Sequence, residues 1–250
     1  MSDRKAALVT GGAIRVGLHF AETLASLGYD LAIHYNSSEK RADEAVAKIR
    51  ALGVECRAFR FDFQSGKNPS ALIEQVVEVF PGLSVLVNCA SIYNAAPITE
   101  TTMDMLHTEF QVNFFTPYLL SGAFARRVET GNIINILDNK IAFQQYQYGA
   151  YLSAKKALAE LTKMAAMELA PRIRVNGIAP GVIMPGVTRT DDYIAWRVQG
   201  IPLKRQGAVE ELGKALIYIL DNEYITGQHL YVDGGESLFH IGQNAEVYEE

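Results

Sequence analysis

The sequence predicts one α/β domain over residues 1–250, built on a doubly wound parallel sheet of about seven strands with helices on both faces. Seven short apolar runs alternate with helical stretches along the chain, which is the pattern of βαβ units. Within these runs the apolar residues are mostly continuous rather than alternating, and this indicates strands that are covered on both faces. The prediction is therefore a Rossmann-type sheet, in which ligands bind at the carboxyl ends of the strands.

The individual elements follow from these runs in order. Strands are predicted at residues 6–10, 31–35, 56–61, 85–88, 132–137, 174–179 and 229–232. Helices are predicted at residues 16–27, 39–52, 70–79, 102–128, 151–169 and 210–221. The fourth and fifth helices carry more apolar side chains than one face of a sheet needs, so either a subunit interface or ordinary core packing absorbs them.

Composition and charge narrow the class of partner. With 49% hydrophobic and 20% charged residues, the chain can bury one large core. Its net charge of −5 and the lack of a basic run argue against a nucleic acid or an anionic membrane, and favour a small-molecule ligand. Cys56 and Cys89 have no metal-ligand spacing, so buried thiols, no bound metal and a reducing cytoplasm are expected.

The two ends of the chain add little to this expectation. The first residues pass directly into an apolar run that is too short for a signal peptide or a membrane span. Residues 243–250 are polar and acidic, which leaves a loose tail and a contact with a neighbouring subunit as two interpretations.

A glycine-rich turn follows the first strand and opens the first helix. It reads Thr-Gly-Gly-Ala-Ile-Arg-Val-Gly over residues 10–17. Glycine allows a tight turn and a close approach of the backbone, and the start of a helix presents N–H groups to a pyrophosphate. A dinucleotide is therefore the expected ligand of Gly11, Val16 and Gly17, and a plain glycine-rich connector is the alternative.

The end of the second strand indicates which dinucleotide binds. An acidic residue there would hydrogen-bond the ribose diol and repel a 2′-phosphate, but the sequence reads Tyr35, Asn36, Ser37 and Ser38. These hydroxyl and amide groups suit a phosphate, and Arg15 in the glycine turn can supply the balancing charge. The prediction is NADPH rather than NADH, with Arg15 as a solvated surface cation the alternative.

Three side chains in the second half of the chain suggest proton transfer. Tyr151 and Lys155 are four residues apart on a predicted helix, so they lie about 6 Å apart on one face. At that distance an ammonium can lower the pKa of the phenol and make it an acid near neutral pH. Asp138 stands thirteen residues before Tyr151, and its carboxyl group can hold or pass a proton where a hydroxyl could only hydrogen-bond.

Several motifs occur in an order that is typical of one family. They are Thr10-Gly11 with Gly17, Asp62 after the third strand, Asn88-Cys89-Ala90-Ser91 after the fourth, Asn113, Tyr151 with Lys155, Pro180-Gly181, and Asp233-Gly234-Gly235. In these motifs, over nearly its full length, the chain resembles the short-chain dehydrogenases/reductases.

The resemblance implies a role for each motif. Tyr151 would protonate the substrate as hydride arrives from the nicotinamide, Lys155 would bind the nicotinamide ribose, and Asn113 would hold a water that connects Lys155 to solvent. Cofactor contacts are implied for Asp62 and Phe63 at the adenine, for Asn88 near the adenine ribose, and for Pro180, Gly181 and Ile183 at the carboxamide. Ala90 and Ser91 are implied cofactor contacts as well. Without the family, a helix cap at Asp62, a helix bridge at Asn113 and a turn at Pro180-Gly181 are the alternatives.

The chain departs from most of the family at three positions. Arg15 and Ser91 stand where glycines are usual, and Asp138 stands where a catalytic serine is usual. In these departures the chain resembles one branch, the pteridine reductases and the bacterial dihydropteridine and dihydromonapterin reductases. That resemblance implies a pterin site in which Tyr93 sandwiches the ring against the nicotinamide.

The implied substrate contacts extend beyond Tyr93. The resemblance gives them to Arg15, Ser91, Tyr93, Asp138 and Tyr151, with Tyr193 and Trp196 as weaker candidates in a variable lid at about residues 184–203. For Tyr93 ordinary packing is the alternative, and Tyr193 and Trp196 could equally pack the lid down.

The expected activity is NADPH-dependent reduction of a dihydropteridine to its tetrahydro form. The substrate would be dihydrobiopterin-like or dihydromonapterin-like, with dihydrofolate a further candidate. Reduction of a ring C=N bond needs hydride at carbon and a proton at the adjacent nitrogen, and a carboxyl group such as Asp138 can supply that proton directly or through water. The family also implies a homotetramer that packs through the fourth and fifth helices.

Two other functions stay open. The first is reduction of a 3-oxoacyl-[acyl-carrier-protein] or another carbonyl compound, with Arg126 and Arg127 docking an acidic carrier protein. Against it, an ionised Asp138 would lie beside the developing alkoxide. The second is a sensor that binds NADPH without turnover, which the presence of Asn113, Tyr151 and Lys155 disfavours.

Overall fold

A parallel sheet of seven strands forms the centre of the computed structural model, which describes residues 4–184 and 189–238. The strands are β1 (Ala6–Val9), β2 (Asp30–Tyr35), β3 (Cys56–Arg60), β4 (Leu83–Asn88), β5 (Gly131–Ile136), β6 (Ile173–Pro180) and β7 (His229–Val232). Their order across the sheet is β3-β2-β1-β4-β5-β6-β7, and every neighbouring pair is parallel. The predicted Rossmann-type fold class is confirmed.

Helices cover both faces of this sheet. They are α1 (Arg15–Ser26), α2 (Glu39–Arg50), α3 (Ser70–Val79), α4 (Met103–Phe110), α5 (Thr116–Arg127), α6 (Gly149–Leu169), α7 (Asp191–Arg197) and α8 (Val209–Asp221). One core contains side chains of α1, α2 and α8, and the other contains side chains of α3, α5 and α6. None of the described helices is long and apolar enough to cross a membrane.

Strand β1 shows why the apolar runs in the sequence are continuous. Ala6 and Leu8 pack into the core on one side of the sheet, whereas Ala7 and Val9 pack into the core on the other side. Successive side chains of a strand point to opposite faces, so a strand between two helical layers has no polar face. The sheet is therefore buried on both faces beneath the loops that carry the site.

The stretch predicted as one helix at 102–128 contains a break, so that prediction was wrong in detail. A π-helix over Gln111–Phe115 separates α4 from α5. Pro117 supplies the reason, because it has no N–H to donate to the carbonyl of Asn113 four residues earlier. The wider π-helical turn accommodates the missing bond, and it leaves Asn113 buried.

Helix α7, within the segment expected to be a variable lid, was not predicted. The Thr190 side chain caps it by accepting a hydrogen bond from the backbone N–H of Tyr193, and two aspartates stand in its first turn. Residues 185–188 of that segment, like the predicted tail at 243–250, lie outside the described residues.

The strand order locates the ligand site. The chain runs outward from β1 through β2 to β3, and then returns to β4 on the other side of β1. Ligands of doubly wound sheets bind beyond the carboxyl ends of the strands at such a reversal. The glycine turn after β1 and the loops after β2, β4, β5 and β6 are therefore the segments that can form a site.

Candidate active site

The start of helix α1 is shaped for a pyrophosphate. Ile14, which precedes the helix, makes no side-chain capping bond, and the first turn has no acidic residue, so nothing on this end of the helix competes with an anion for the N–H groups. Gly11 has a φ of +65°, and a Cβ at position 17 would lie 2.2 Å from the Gly11 carbonyl oxygen. Both glycines are thus required by the turn, and the residues present fit a dinucleotide.

Arg15 adopts a backbone conformation that favours glycine. Its φ is +52°, in the left-handed region that L side chains rarely adopt. Its guanidinium donates a hydrogen bond to the backbone carbonyl of Met184 at the start of the lid segment, and its side chain lines both cavities described below. The strained position therefore holds a cation at the junction of the two cavities.

His34 fixes the glycine turn from the neighbouring strand, a role that the sequence did not reveal. The Gly11 N–H donates to His34 Nδ1 at 3.0 Å. Nδ1 is therefore the acceptor, and Nε2 donates to the Phe61 carbonyl at 2.8 Å. Burial lowers the pKa of His34 to about 4, so the ring is neutral near neutral pH.

A cavity of about 410 Å³ extends from the glycine turn across the ends of β2 and β3. Among its lining residues are the predicted cofactor contacts Gly11, Arg15, Val16, Gly17, Tyr35, Asn36, Ser37, Ser38, Asp62, Phe63, Ala90 and Ser91. Thr10 Oγ1 accepts hydrogen bonds from the N–H groups of Cys89 and Ala90, at 2.9 Å and 3.0 Å. This contact holds the loop after β4 against the glycine turn.

Asn88 is the predicted cofactor contact that the structure places elsewhere. Its side chain is buried, lies outside the residues that line this cavity, and donates to Asn135 Oδ1 at 2.8 Å. The two residues are register partners on β4 and β5. Because they face each other inside the sheet, Asn88 braces the end of β4 and does not point into the cavity.

A second cavity of about 460 Å³ lies beyond the carboxyl ends of β5 and β6. Its lining brings together Arg15, Ser91, Tyr93, Asp138, Tyr151, Lys155, Pro180, Gly181, Ile183 and Tyr193 from the sequence predictions. Trp196 is not among the lining residues and packs against Tyr193, with the ring centroids 6.1 Å apart. Of the two lid aromatics, Tyr193 alone therefore faces this cavity.

Tyr151 and Asp138 are joined by a direct hydrogen bond. The Tyr151 hydroxyl donates to Asp138 Oδ2 at 2.8 Å, while the backbone N–H of Lys140 donates to Oδ1 at 2.9 Å. Burial, followed by the charge of Asp138, raises the pKa of Tyr151 well above its ordinary value. The expectation of a lowered pKa was wrong, because burial and the adjacent carboxylate outweigh the effect of Lys155.

Lys155 is held deep beside this pair. Its ammonium donates to the backbone carbonyl of Ile136 at 2.8 Å and lies 5.8 Å from the centre of the Tyr151 ring. Burial lowers the pKa of Lys155 to about 8, although the charge of Asp138 opposes the change. A cation with a pKa near neutrality can both balance charge and exchange a proton.

A buried carboxyl group, Glu109, joins the site and was missed in the sequence. Glu109 Oε2 accepts from Asn113 Nδ2 at 2.8 Å, while Oε1 accepts from the backbone N–H of Asn94 at 2.9 Å and from its Nδ2 at 2.8 Å. Asn113 Oδ1 in turn accepts from Ser91 Oγ at 2.7 Å. Burial raises the pKa of Glu109. The spacing of four before Asn113 was the available signal, because it places both side chains on one helix face.

Tyr93 lines the second cavity and packs against Tyr148, an aromatic residue that the sequence analysis did not single out. Its ring stacks on Tyr148 with centroids 3.9 Å apart and an angle of 6° between the planes. It meets Tyr151 edge-on, at 4.6 Å between centroids. The stacking on Tyr148 covers one face of Tyr93 and fixes the ring, while the side chain stays 41% exposed.

A buried ion pair anchors helix α7 beneath the same cavity. The Arg197 guanidinium contacts Glu236, whose Oε2 also accepts from Asn139 Nδ2 at 2.9 Å. All three residues line the second cavity, and Asn139 is the neighbour of Asp138 in the chain. The contact therefore connects the lid segment with the strand end that carries the aspartate.

The fold and the site together define a class of protein. A groove that fits a dinucleotide opens onto a buried tyrosine and lysine and a partly buried aspartate, and these are the parts of an oxidoreductase that transfers hydride and a proton.

Known proteins narrow this class to a family. A family model described as enoyl-(acyl carrier protein) reductase matches residues 12–237. The 3-oxoacyl-[acyl-carrier-protein] reductase FabG of Staphylococcus epidermidis is 33% identical over 245 residues, which cover 92% of this chain and 98% of that protein. This chain belongs to the short-chain dehydrogenase/reductase family.

Solved structures resemble the chain equally well. FolM alternative dihydrofolate reductase 1 from Brucella suis, solved in complex with NADP, has a TM-score of 0.89 at 31% identity, covering 95% of this chain and 97% of that one. Acetoin dehydrogenase YohF from Salmonella typhimurium has a TM-score of 0.88 at 30% identity, covering 96% and 99%. The family thus includes similar members with different substrates.

Proposed function

We propose that the protein is an NADPH-dependent reductase of a dihydropteridine, which it converts to the tetrahydro form. The observation that carries the proposal is the 2.8 Å hydrogen bond from Tyr151 to Asp138, in a cavity that Tyr93 also lines. A carboxyl group at this place suits protonation of a ring nitrogen, and an aromatic wall suits a planar heterocycle. The substrate is dihydrobiopterin-like, dihydromonapterin-like or dihydrofolate-like.

NADP(H) is the cofactor, and it supplies the hydride. The glycine turn of Gly11 and Gly17 fits the pyrophosphate, while the hydroxyl and amide groups of residues 35–38 line the same groove. Arg15 lines this groove and is the cationic side chain that can bind a 2′-phosphate. The absence of an acidic side chain over residues 35–38 removes the repulsion that would favour NADH.

The proton comes from the Tyr151–Asp138 pair. The hydrogen bond between them accounts for one proton, and a second proton on Asp138 allows the pair to donate one without becoming two adjacent anions. Donation to the ring nitrogen then leaves the singly protonated pair. Lys155, whose ammonium lies 5.8 Å from the Tyr151 ring, offsets the remaining negative charge. Asn113 and Ser91 are proposed to complete the route by which solvent restores the proton.

A second function is favoured by the sequence relatives. FabG of Staphylococcus epidermidis, at 33% identity, is a 3-oxoacyl-[acyl-carrier-protein] reductase, and a carbonyl substrate would need only Tyr151 as acid. For carrier docking, Arg126 and Arg127 are both exposed, but Arg127 already pairs with Glu74 at 3.2 Å. Since Tyr151 alone would supply that proton, this function leaves the carboxyl group of Asp138, which accepts from Tyr151, without a role.

NADPH oxidation with a panel of substrates separates the candidates. The panel contains 7,8-dihydropterins, dihydrofolate and acetoacetyl thioesters, and the absorbance of NADPH is followed. Turnover of the dihydropterins supports the proposal, and turnover confined to the thioesters overturns it. Tight binding of NADPH without oxidation by any member of the panel would instead indicate a sensor.

Asp138→Ser tests the role of the carboxyl group. We expect it to lower kcat for a dihydropterin by at least about a hundredfold, since general acid catalysis contributes roughly 10²–10⁴, with little change in the Kd of NADPH. Asp43→Ser, which removes an exposed carboxylate from α2, is the matched control. Equal losses of turnover and NADPH binding would make Asp138 structural.

The assembly and location are part of the same proposal. Phe115, Tyr118, Leu119, Met164 and Met167 are exposed on the π-helix, α5 and α6, whereas Phe124, Leu158 and Leu161 are buried in the core. The exposed set suits a homotetramer that packs through these helices, and light scattering tests the mass. We place the enzyme in the cytoplasm, where its free cysteines would stay reduced.

A further inference from the structure

We propose that the substrate carries an anionic group on the substituent of its pterin ring, and that Lys140 and Arg189 bind this group at the rim of the second cavity. The inference rests on the proposed function, because it identifies what extends beyond the ring. Neither cation was among the sequence predictions. Both contact the hydroxyl groups of a stacked tyrosine pair, Tyr93 and Tyr148, of which Tyr93 lines the cavity.

The two cations converge on the hydroxyl ends of this stacked pair. Lys140 Nζ donates to the Tyr93 hydroxyl at 3.2 Å and lies 5.1 Å from the centre of that ring. Arg189 donates to the Tyr148 hydroxyl at 3.4 Å, and its guanidinium lies 4.6 Å from the centre of the Tyr193 ring. Since Tyr93 and Tyr148 are stacked in nearly parallel planes at 3.9 Å, their contacts bring an ammonium and a guanidinium to the same edge of the cavity.

Neither cation forms an ion pair within the described parts of the chain. The carboxylates that line the cavity have other partners, since Asp138 accepts from Tyr151 and Glu236 contacts Arg197. The lining contains five cationic and two anionic side chains, although the whole chain has a net charge of −5. A positive surplus inside an acidic protein favours an anion in this cavity.

The position of the cations distinguishes the ring from its substituent. A planar ring stacked on Tyr93 would lie against the face of the phenol, whereas Lys140 contacts the hydroxyl at its tip. Arg189 reaches the cavity from the lid segment, across the stacked pair. A group that extends from the ring toward this edge would meet both cations, and carboxylate and phosphate oxygens are the acceptors that form the strongest hydrogen bonds with them.

The chemistry leaves two sources for the anion, a phosphate ester and a carboxylate. A matched pair of substrates tests the first, because 7,8-dihydroneopterin and its 3′-phosphate differ only in the phosphate group. Dihydrofolate, whose glutamate carries carboxylates, tests the second. We expect wild-type kcat/KM to be at least about tenfold higher for one of the anionic substrates than for neutral dihydroneopterin. This preference should shrink as salt is added, since the cations are partly exposed.

Lys140→Gln and Arg189→Gln are expected to reduce that preference about tenfold each, and Lys140→Arg should retain most of it. Arg57→Gln removes an exposed cation from β3, remote from both cavities, and should leave the preference unchanged. The Kd of NADPH, measured for every variant, verifies folding.

Three results would overturn the proposal. Equal kcat/KM values for anionic and neutral substrates in the wild type would exclude an anion subsite. A preference that is unchanged in both glutamine variants would place the subsite elsewhere, and equal losses for both kinds of substrate would show that the cations only support the tyrosines. If no dihydropterin is turned over, the proposed function itself fails, whereas turnover without preference refutes the subsite alone.

Discussion

Protonation of His34 should loosen the glycine turn and weaken cofactor binding in acid. The neutral ring accepts from Gly11 N–H through Nδ1 and donates to Phe61 through Nε2, so a second proton would remove the acceptor that Gly11 uses. Burial lowers the pKa of His34 from 6.5 to about 4. Between these values the unfolded chain binds a proton that the folded protein does not, and the stability therefore falls as the pH is lowered.

The size of the effect follows from the same two values. The stabilisation by neutral His34 is fully present above pH 6.5 and is lost as the pH falls to about 4. At about 1.4 kcal/mol per pH unit, the loss is about 2 kcal/mol at pH 5 and about 3 kcal/mol at pH 4. His34→Gln removes the titration, since an amide can accept and donate in a similar way without gaining charge.

Urea unfolding at several pH values measures the difference between the two proteins. Trp196, the single tryptophan of the chain, provides the fluorescence signal. We expect the wild type to have a higher free energy of unfolding than His34→Gln near neutral pH. The difference between the two free energies should shrink by about 2 kcal/mol when the pH is lowered to 5. NADPH affinity should weaken more steeply in the wild type over the same interval. His107→Gln, which removes an exposed histidine of α4, should follow the wild type. A gap that stays constant with pH would refute the reasoning.

Three further predictions concern the reaction and its cofactor. Because the ammonium of Lys155 is lost above a pKa of about 8, kcat/KM should fall as the pH rises through that value, and Lys155→Arg should move the fall to higher pH if it retains activity. Glu109→Gln should lower kcat about tenfold and change the pH profile of the reaction, with an unchanged Kd for NADPH. Glu44→Gln, on the exposed face of α2, should change neither kcat nor the pH profile. A parallel loss of NADPH binding would make Glu109 purely structural. Arg15→Gly should weaken NADPH about tenfold with little effect on NADH, and should raise the free energy of unfolding by roughly 1 kcal/mol because glycine tolerates the φ of +52°. Equal weakening of both dinucleotides would mean that Arg15 contacts only the pyrophosphate.

The sheet was predictable because strands that are buried on both faces have runs of continuous apolar residues in the sequence. A strand such as β1, with Leu8 in one core and Val9 in the other, can only be written with continuous apolar residues. The long helix was less predictable, since periodicity does not show that Pro117 deprives Asn113 of a hydrogen bond. Helix α7 is short and amphipathic over only two turns, so its pattern is too brief to distinguish from a loop.

The site was predictable where it depends on local spacing and unpredictable where it depends on tertiary neighbours. The separation of Tyr151 and Lys155 predicted their proximity, but the sign of the pKa change depends on burial and on Asp138, which arrives from another strand. The family resemblance assigned Asn88 to the cofactor groove, yet its register with Asn135 turns the side chain into the sheet. Arg189 and Lys140 are far apart in the chain, and only the fold brings them to one wall.

The buried contact between Arg197 and Glu236 limits how this scaffold can be re-engineered. Exchange of the lid segment between relatives is an obvious way to move substrate preference from one reductase to another. In this chain such a graft would also replace Arg197, the cationic half of a buried ion pair whose Glu236 accepts from Asn139, the residue after Asp138. The Glu236 carboxylate would then be left buried without its cation. A transplanted lid would therefore have to keep a cation at position 197, or replace Glu236 in the same step, before its new recognition surface could be tested.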